Sequence, residues 1–172
     1  MVKSKERIRL NKFQREAEGY LELGLPGLAL RSLARLGDPA HFAPSTLYLW
    51  GEALRAGERY AEAIPPLERV AEAEPENVHV WLALAWCYKR IGNLQRAIEA
   101  IHSALKADPS EALLHYNLAC YLSLAGDKDG ALVHLSQALA AEAYYRSLVD
   151  NEPDFDPIRS DPDFQALIGI IV

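Results

Sequence analysis

Along most of the chain, apolar residues return every three or four positions, the spacing of one face of an α-helix. In residues 78–111, Trp81, Leu84, Ala85 and Tyr88 make one stripe, and Ala97, Ile101, Ala104 and Leu105 make the next. Gly92 and Asn93 interrupt the pattern between them. The spacing predicts a helix, a tight turn and a second helix within 34 residues.

The same arrangement recurs, without insertion or deletion, over residues 10–43, 44–77, 78–111 and 112–145. Ala29, Ala63, Ala97 and Ala131 share one slot, and Ala17, Gly51, Ala85 and Ala119 share another twelve residues earlier. Leu33, Leu67, Ile101 and Leu135 fill a third. Small residues at fixed slots have a steric cause: where two helices cross closely, anything larger than a methyl group holds them apart. Gly24, Gly57, Gly92 and Gly126 are the expected turn residues, and Pro39, Pro75 and Pro109 punctuate the unit ends. Asn77 and Ser110 are expected to cap first helices, Asn93 and Asp127 second helices. Pro65 and Pro66 break the pattern in the second helix of unit two. A proline there removes a backbone donor and predicts a kink or a delayed start, unless the pair is tolerated in the early turns.

The third unit, Val78 to Glu111, carries Trp81, Leu84, Ala85, Tyr88, Gly92, Ala97, Ile101, Ala104 and Pro109 at the positions that mark the tetratricopeptide repeat, and it resembles that family. Units two and four match less fully, with Leu47 and His115 at the Trp slot and Ala143 where proline closes the unit. Unit one departs furthest, with Phe13, Glu16 and the broken end Gly37-Asp38-Pro39. The resemblance covers 136 of 172 residues. It implies an all-α, right-handed α-α superhelix of about four helix-turn-helix repeats plus C-terminal capping helices. Residues 1–9 are then a basic N-terminal extension and 146–172 the cap.

A repeat array leaves an apolar edge on its last unit, and the tail is composed to cover it. Tyr144 to Asp150 suits a short helix, Glu152 to Pro157 a turn-rich link, and Asp161-Pro162 the start of a last helix with Asp161 as its cap. Phe155, Ile158, Phe164, Leu167 and Ile168 are the expected contacts. The Asp154 to Phe164 stretch resembles a tail that follows the last repeat in many bacterial proteins of the family, which implies a bacterial source. The apolar end, Ile168 to Val172, is too short to span a bilayer and is expected to pack on the array or on a second copy.

Composition excludes more than it adds. No apolar run reaches the length of a membrane span, and the polar start does not read as a signal peptide, so a cytoplasmic protein is expected. The net charge of −6 divides into +4 over residues 1–12 and −5 over residues 142–172. A basic arm of that kind can touch nucleic acid or an anionic surface, but a solvated helix start is its commoner meaning, and neither nucleic acid nor membrane is expected as a partner. Cys87 and Cys120 lie in apolar helical stretches and read as structural thiols. Histidines are scattered without His-Glu-x-x-His spacing, and phosphate-binding glycine loops and nucleophile turns are missing from the sequence. His79 with Cys120 makes only two metal ligands, a poor site. A non-enzymatic protein without cofactor or metal is expected.

The helical wheel then locates a candidate surface. With Trp81, Leu84, Ala85 and Tyr88 turned to the core, the opposite side carries His79, Leu82, Ala83, Trp86 and Arg90, with Lys89 at its margin. In unit two those slots are Ser45, Tyr48, Leu49, Glu52 and Ala56, flanked by Arg55; in unit four they are Leu113, Tyr116, Asn117, Cys120 and Leu124. The resemblance implies that first helices line a concave, peptide-binding face. Candidate groove residues are Tyr48, Leu49, Arg55, His79, Leu82, Trp86, Lys89, Arg90, Tyr116, Asn117 and Cys120, an apolar and aromatic strip edged by cations. Such a strip suits a protein partner's helix or peptide with apolar side chains and an acidic flank. Two other occupants stay open: the chain's own tail, or a second copy in a homo-oligomer formed through the groove or the C-terminal edge. Some family members grip chaperone tails with a Lys, Asn and Arg set; Gln14, Glu18, Leu49, Leu113 and Asn117 stand at those places here, which disfavours that ligand.

Overall fold

The computed structural model describes residues 2–169, all of whose regular structure is helical. Eight helices form four consecutive hairpins: α1 (Val2–Glu22) with α2 (Pro26–Ala34), α3 (Pro44–Ala56) with α4 (Tyr60–Ala73), α5 (Val78–Arg90) with α6 (Leu94–Ala107), and α7 (Ala112–Ala125) with α8 (Lys128–Ala141). Each second helix also packs on the first helix of the next pair. One core cluster runs from α3 to the tail, a smaller one of Ala17, Ala29, Leu33 and Ala53 joins the first two pairs, and Leu30, Phe42 and Trp50 pack against both. The basic start is part of α1, and residues 4–9 are helical and exposed or nearly so. The apolar end Ile170-Ile171-Val172, expected to pack on the array or on a second copy, lies outside the described residues.

Steric slots set the spacing within the hairpins. Ala17, Ala85 and Ala119 in the first helices, and Ala29, Ala63, Ala97 and Ala131 in the second, have 0% of their surface exposed. At Gly51 even a methyl group is too large where the helices stand, since a Cβ would lie 2.7 Å from Leu67 Cγ and Cδ2. Leu33, Leu67, Ile101 and Leu135 sit one turn further on and are wholly buried. Each contributes roughly 1.5–3 kcal/mol by leaving water.

The tail closes the array. After a 3-10 turn at Ala143–Tyr145 come α9 (Arg146–Val149), a second 3-10 turn at Pro153–Ile158, and α10 (Pro162–Gly169). Asp161 caps α10, accepting from Asp163 N at 2.9 Å, and both Asp161 and Asp163 accept from Lys128 Nζ of α8 at 3.1 Å. Phe155 and Phe164 are fully buried with ring centres 5.6 Å apart.

Several local expectations are corrected. The turn residues in the left-handed region are Gly24, Gly92 and Gly126 with φ of 69°, 80° and 82°, but in unit two the residue is Glu58 at φ 59°, while Gly57 stands at φ −84°. The glycine of unit two is one position early, and the strained slot falls on a side-chain-bearing residue. Asn93 and Asp127 cap as expected, accepting from Arg96 N at 3.2 Å and Gly130 N at 3.0 Å. Asn77 makes no cap bond; its amide nitrogen donates instead to Glu74 at 2.9 Å. Ser110 is displaced as cap by Glu111, which accepts from Leu113 N at 3.1 Å. The start of α4 is not delayed: it begins at Tyr60 and continues through Pro65 and Pro66. The carbonyls deprived of a donor belong to Ala61 and Glu62, both exposed residues on the solvent side of the helix, where an unpaired carbonyl costs little.

The Trp slot explains its own degeneracy. Trp81 Nε1 donates to the Pro75 carbonyl at 2.8 Å, and His115 Nε2 meets the Pro109 carbonyl at 2.9 Å, six residues back in both units. Histidine replaces tryptophan there because its ring N–H reaches the same acceptor. A carbonyl only accepts, so Nε2 carries the hydrogen and the neutral ring presents a bare Nδ1. His134 Nδ1, 3.0 Å away, must then be the donor. Phe13 needs no such acceptor: the Arg35 guanidinium covers its ring at 4.1 Å, and Glu16 accepts from Ser32 Oγ at 2.8 Å.

Two measurements check these points. Glu58→Gly should stabilise the protein by about 0.5–1 kcal/mol in urea unfolding, because it removes a left-handed side-chain-bearing residue that makes no ion pair among the described residues. The His134 pKa is lowered, first by burial and then by His115, with His102 adding to the fall and Gln137 and Asp127 opposing it. The folded state therefore binds this proton less readily than the unfolded chain. The associated stability is full above the ordinary imidazole value near 6.5 and is lost as the pH falls through the lowered folded value. The double variant His115→Trp/His134→Ala, which copies Trp81 and Ala100 of unit three, should remove that acid sensitivity in thermal melts from pH 8 to 5.

Candidate functional site

Three first helices, α3, α5 and α7, line a depression of about 290 Å³. Tyr48, Glu52 and Arg55 come from α3, His79, Leu82, Ala83 and Trp86 from α5, and Leu113, Asn117 and Tyr121 from α7. The hairpin geometry puts them there: each first helix turns its Ala or Gly slot to its partner and presents the opposite side to this face. Six of the candidate residues are brought together, namely Tyr48, Arg55, His79, Leu82, Trp86 and Asn117. Trp86 is 40% exposed, and Leu113 beside it 38%. The wheel had placed Glu52, Ala83 and Leu113 on this side, although nothing in their chemistry singled them out. Tyr121 shares its slot with Ala53 and Cys87, two core residues, so no sequence signal pointed to it.

The expected cationic edge is largely neutralised from within. Arg55 donates through Nε and Nη2 to the two Glu52 carboxylate oxygens, each at 2.8 Å. Lys89 is bonded to Asp154 of the tail, with side chains only 20% and 10% exposed, and its ammonium lies 5.6 Å from the ring centres of both Trp86 and Tyr121. Arg90 does not line the depression and stacks over the Tyr60 ring at 5.0 Å. Burial, reinforced by the Glu52 carboxylate against Arg55, pushes the Tyr48 hydroxyl up to about 12, so it stays a neutral hydrogen-bonding group. Burial likewise pushes the Cys87 thiol up to about 11, the mark of an inert thiol.

Tyr116 and Cys120 do not belong to an open wall. They are 5% and 2% exposed, because the tail lies on them. The Tyr145 ring stacks on Tyr116 at 4.8 Å, and Phe155 meets it edge-on at 5.8 Å. Burial is the first cause of the raised pKa values of Tyr116, Cys120 and Tyr121. The Tyr116 hydroxyl has no hydrogen-bond partner among the described residues. Leu49 is also turned away, packing against the cluster of Ala17, Ala29, Leu33 and Ala53 that joins units one and two. The strip read from the sequence is thus divided: the chain's own tail covers Tyr116 and Cys120 of unit four, and the part between α3, α5 and the Leu113, Asn117 and Tyr121 side of α7 is open. His79 lines the depression while Cys120 is buried, and among the described residues no group of three or more His, Cys, Asp or Glu is placed to hold a metal ion. No helix of the described residues is long and apolar enough to cross a membrane.

Two family profiles, each described as tetratricopeptide repeat, match residues 54–119 and 88–154. Together they span residues 54–154, more than half of the chain, and the protein belongs to the tetratricopeptide repeat family. Repeats of this family are protein–protein interaction scaffolds and are typically non-catalytic. Among solved structures, MamA aligns with a TM-score of 0.70 at 21% identity, covering 80% of this chain and 80% of its own. YrrB, described as a TPR protein with an unusual peptide-binding site, aligns with a TM-score of 0.69 at 19% identity, covering 78% of this chain and 70% of its own. At such identities the likeness is one of fold. In sequence the chain is 32% identical over 76 residues, 44% of its length, to anaphase-promoting complex subunit 3 of Dictyostelium discoideum. It is 29% identical over 126 residues, 72% of its length, to the general transcriptional corepressor trfA of the same organism. The matches take in only 8% and 9% of those two proteins. The bacterial source implied by the tail rests on the tail alone.

Asp154→Ala should cost about 1–3 kcal/mol in urea unfolding, because Lys89 is left largely buried without its counter-charge. Loosened tail contacts should also let a thiol reagent modify Cys120 ahead of Cys87, which peptide mapping by mass spectrometry reads directly.

Proposed function

We propose that the protein is a non-catalytic interaction module that binds a short helix or peptide of a partner protein in the depression on α3, α5 and α7. Trp86 is the observation that carries this reading. A tryptophan 40% exposed in a depression that it lines together with Leu82 and Tyr121 leaves an unusually large apolar area in water. Side chains of this type at the centre of a recessed surface are the usual anchors of protein interfaces. The neighbouring polar groups, Tyr48, His79 and Asn117, give orientation to whatever covers it. At the C-terminal edge, the other surface considered for pairing of two copies, α10 lies over α8.

Trp86→Ala is expected to leave the circular dichroism spectrum and melting point nearly unchanged and to lower partner recovery at least tenfold. Recovery would be read by quantitative mass spectrometry after cross-linking in the native host. A large loss of stability would make Trp86 a core residue and defeat the proposal, as would undiminished recovery.

A further inference from the structure

The tail displays one ligand chemistry that this wall accepts. Its 3-10 turn places the Asp154 carboxylate on Lys89 of α5 and the Phe155 ring on Tyr116 of α7, an acid and an aromatic side by side bridging two consecutive first helices. The repeat makes the next comparison possible. Counting back 34 residues, Lys89 becomes Arg55, Tyr116 becomes Leu82, and Cys120 becomes Trp86. All three of those residues line the open depression. The seat filled by the tail is therefore repeated one unit earlier, with a guanidinium for the ammonium and an indole in place of the thiol, and there the chain supplies no occupant among the described residues.

We infer that this open seat takes an acid–aromatic segment of a partner protein, Asp or Glu followed directly by Phe, Tyr or Trp, laid beside the chain's own Asp154-Phe155. The inference rests on the groove reading and narrows it to one ligand chemistry. Arg55 already holds Glu52 through Nε and Nη2. A guanidinium has five N–H donors, and Arg55 Nη1 makes no hydrogen bond among the described residues, so a second carboxylate is received without expelling the first. The slot of Glu52 is occupied in the tail's seat by the uncharged Trp86. The incoming acid consequently meets a half-neutralised cation, and the aromatic residue packed on Leu82 and Trp86 supplies the larger share of affinity.

The test is selection of random displayed peptides on the full chain, with counter-selection on Trp86→Ala, followed by fluorescence polarisation on the enriched peptides. A synthetic peptide copying residues 151–159 serves as the designed probe. The expected result is a set of Trp86-dependent peptides carrying adjacent acidic and aromatic residues, sharing that pair with the probe. Replacing the aromatic residue by Ala should weaken them tenfold or more, and replacing the acid by its amide, or Arg55→Gln in a variant whose melting curve is normal, about three- to tenfold. Trp86-dependent peptides without the pair, or binding indifferent to Arg55→Gln, would overturn the inference while leaving the groove reading intact. A selection that yields no Trp86-dependent peptide would remove both.

Discussion

Everything in this molecule depends on how closely two helices can approach when neither carries more than a methyl group at the crossing. The buried Ala and Gly slots let each hairpin close until Leu or Ile of one helix fills the space beside the other, and at Gly51 the contact with Leu67 leaves no room even for a Cβ. Because the slots recur every 34 residues without slippage, the hairpins close in the same way even where helix lengths differ, and the stack follows from one local geometry repeated. The outer sides of the first helices then fall on one face at equivalent positions. The depression shares Ala83 and Tyr121 with the core, and Tyr48 and Leu82 pack against that core, so its walls are held in place by the packing beneath them.

A stack has two ends, and they are covered by different physics. At the start, Phe13 is covered by charged groups: the Arg35 guanidinium lies on its ring, with Arg9 and Lys12 close by and Glu16 among them. At the other end the acidic tail folds back and turns its few large apolar side chains inward, burying Phe155, Ile158 and Phe164 on the last hairpin. The second solution has a consequence for the concave face. One segment is both cap and wall: the turn that buries Phe155 also delivers Asp154 to Lys89, removing Tyr116 and Cys120 from the surface. The Tyr116 hydroxyl, left under that turn without a hydrogen-bond partner among the described residues, is the cost of the arrangement.

The histidine pair shows the same economy. Unit four tolerates His115 at a tryptophan slot because one ring nitrogen reaches the carbonyl that tryptophan would have used, and the other finds His134 on the facing helix. What looks in the sequence like degeneration of the motif preserves its hydrogen bond.

Period, hairpin order, core slots and the side of each first helix that faces away from the core were all legible in the sequence, because they depend on short-range sterics and on the 3.6-residue turn, which repeat with the chain. Trp86 was legible for the same reason. Other features were settled only by tertiary structure. Sequence spacing could not say that the left-handed residue of unit two is Glu58 and not its neighbour Gly57, since that depends on where α3 stops against α4. The Glu52–Arg55 pair, three residues apart on one helix, is local, but spacing could not say that Asp154, 65 residues from Lys89, would neutralise the next cation along the same edge. Helical periodicity locates a side chain on a face, but what covers that face is decided by a non-repeating segment arriving from far along the chain. The sequence thus determined the wall, and the fold-back of the tail decided how much of it stays open and with what charge.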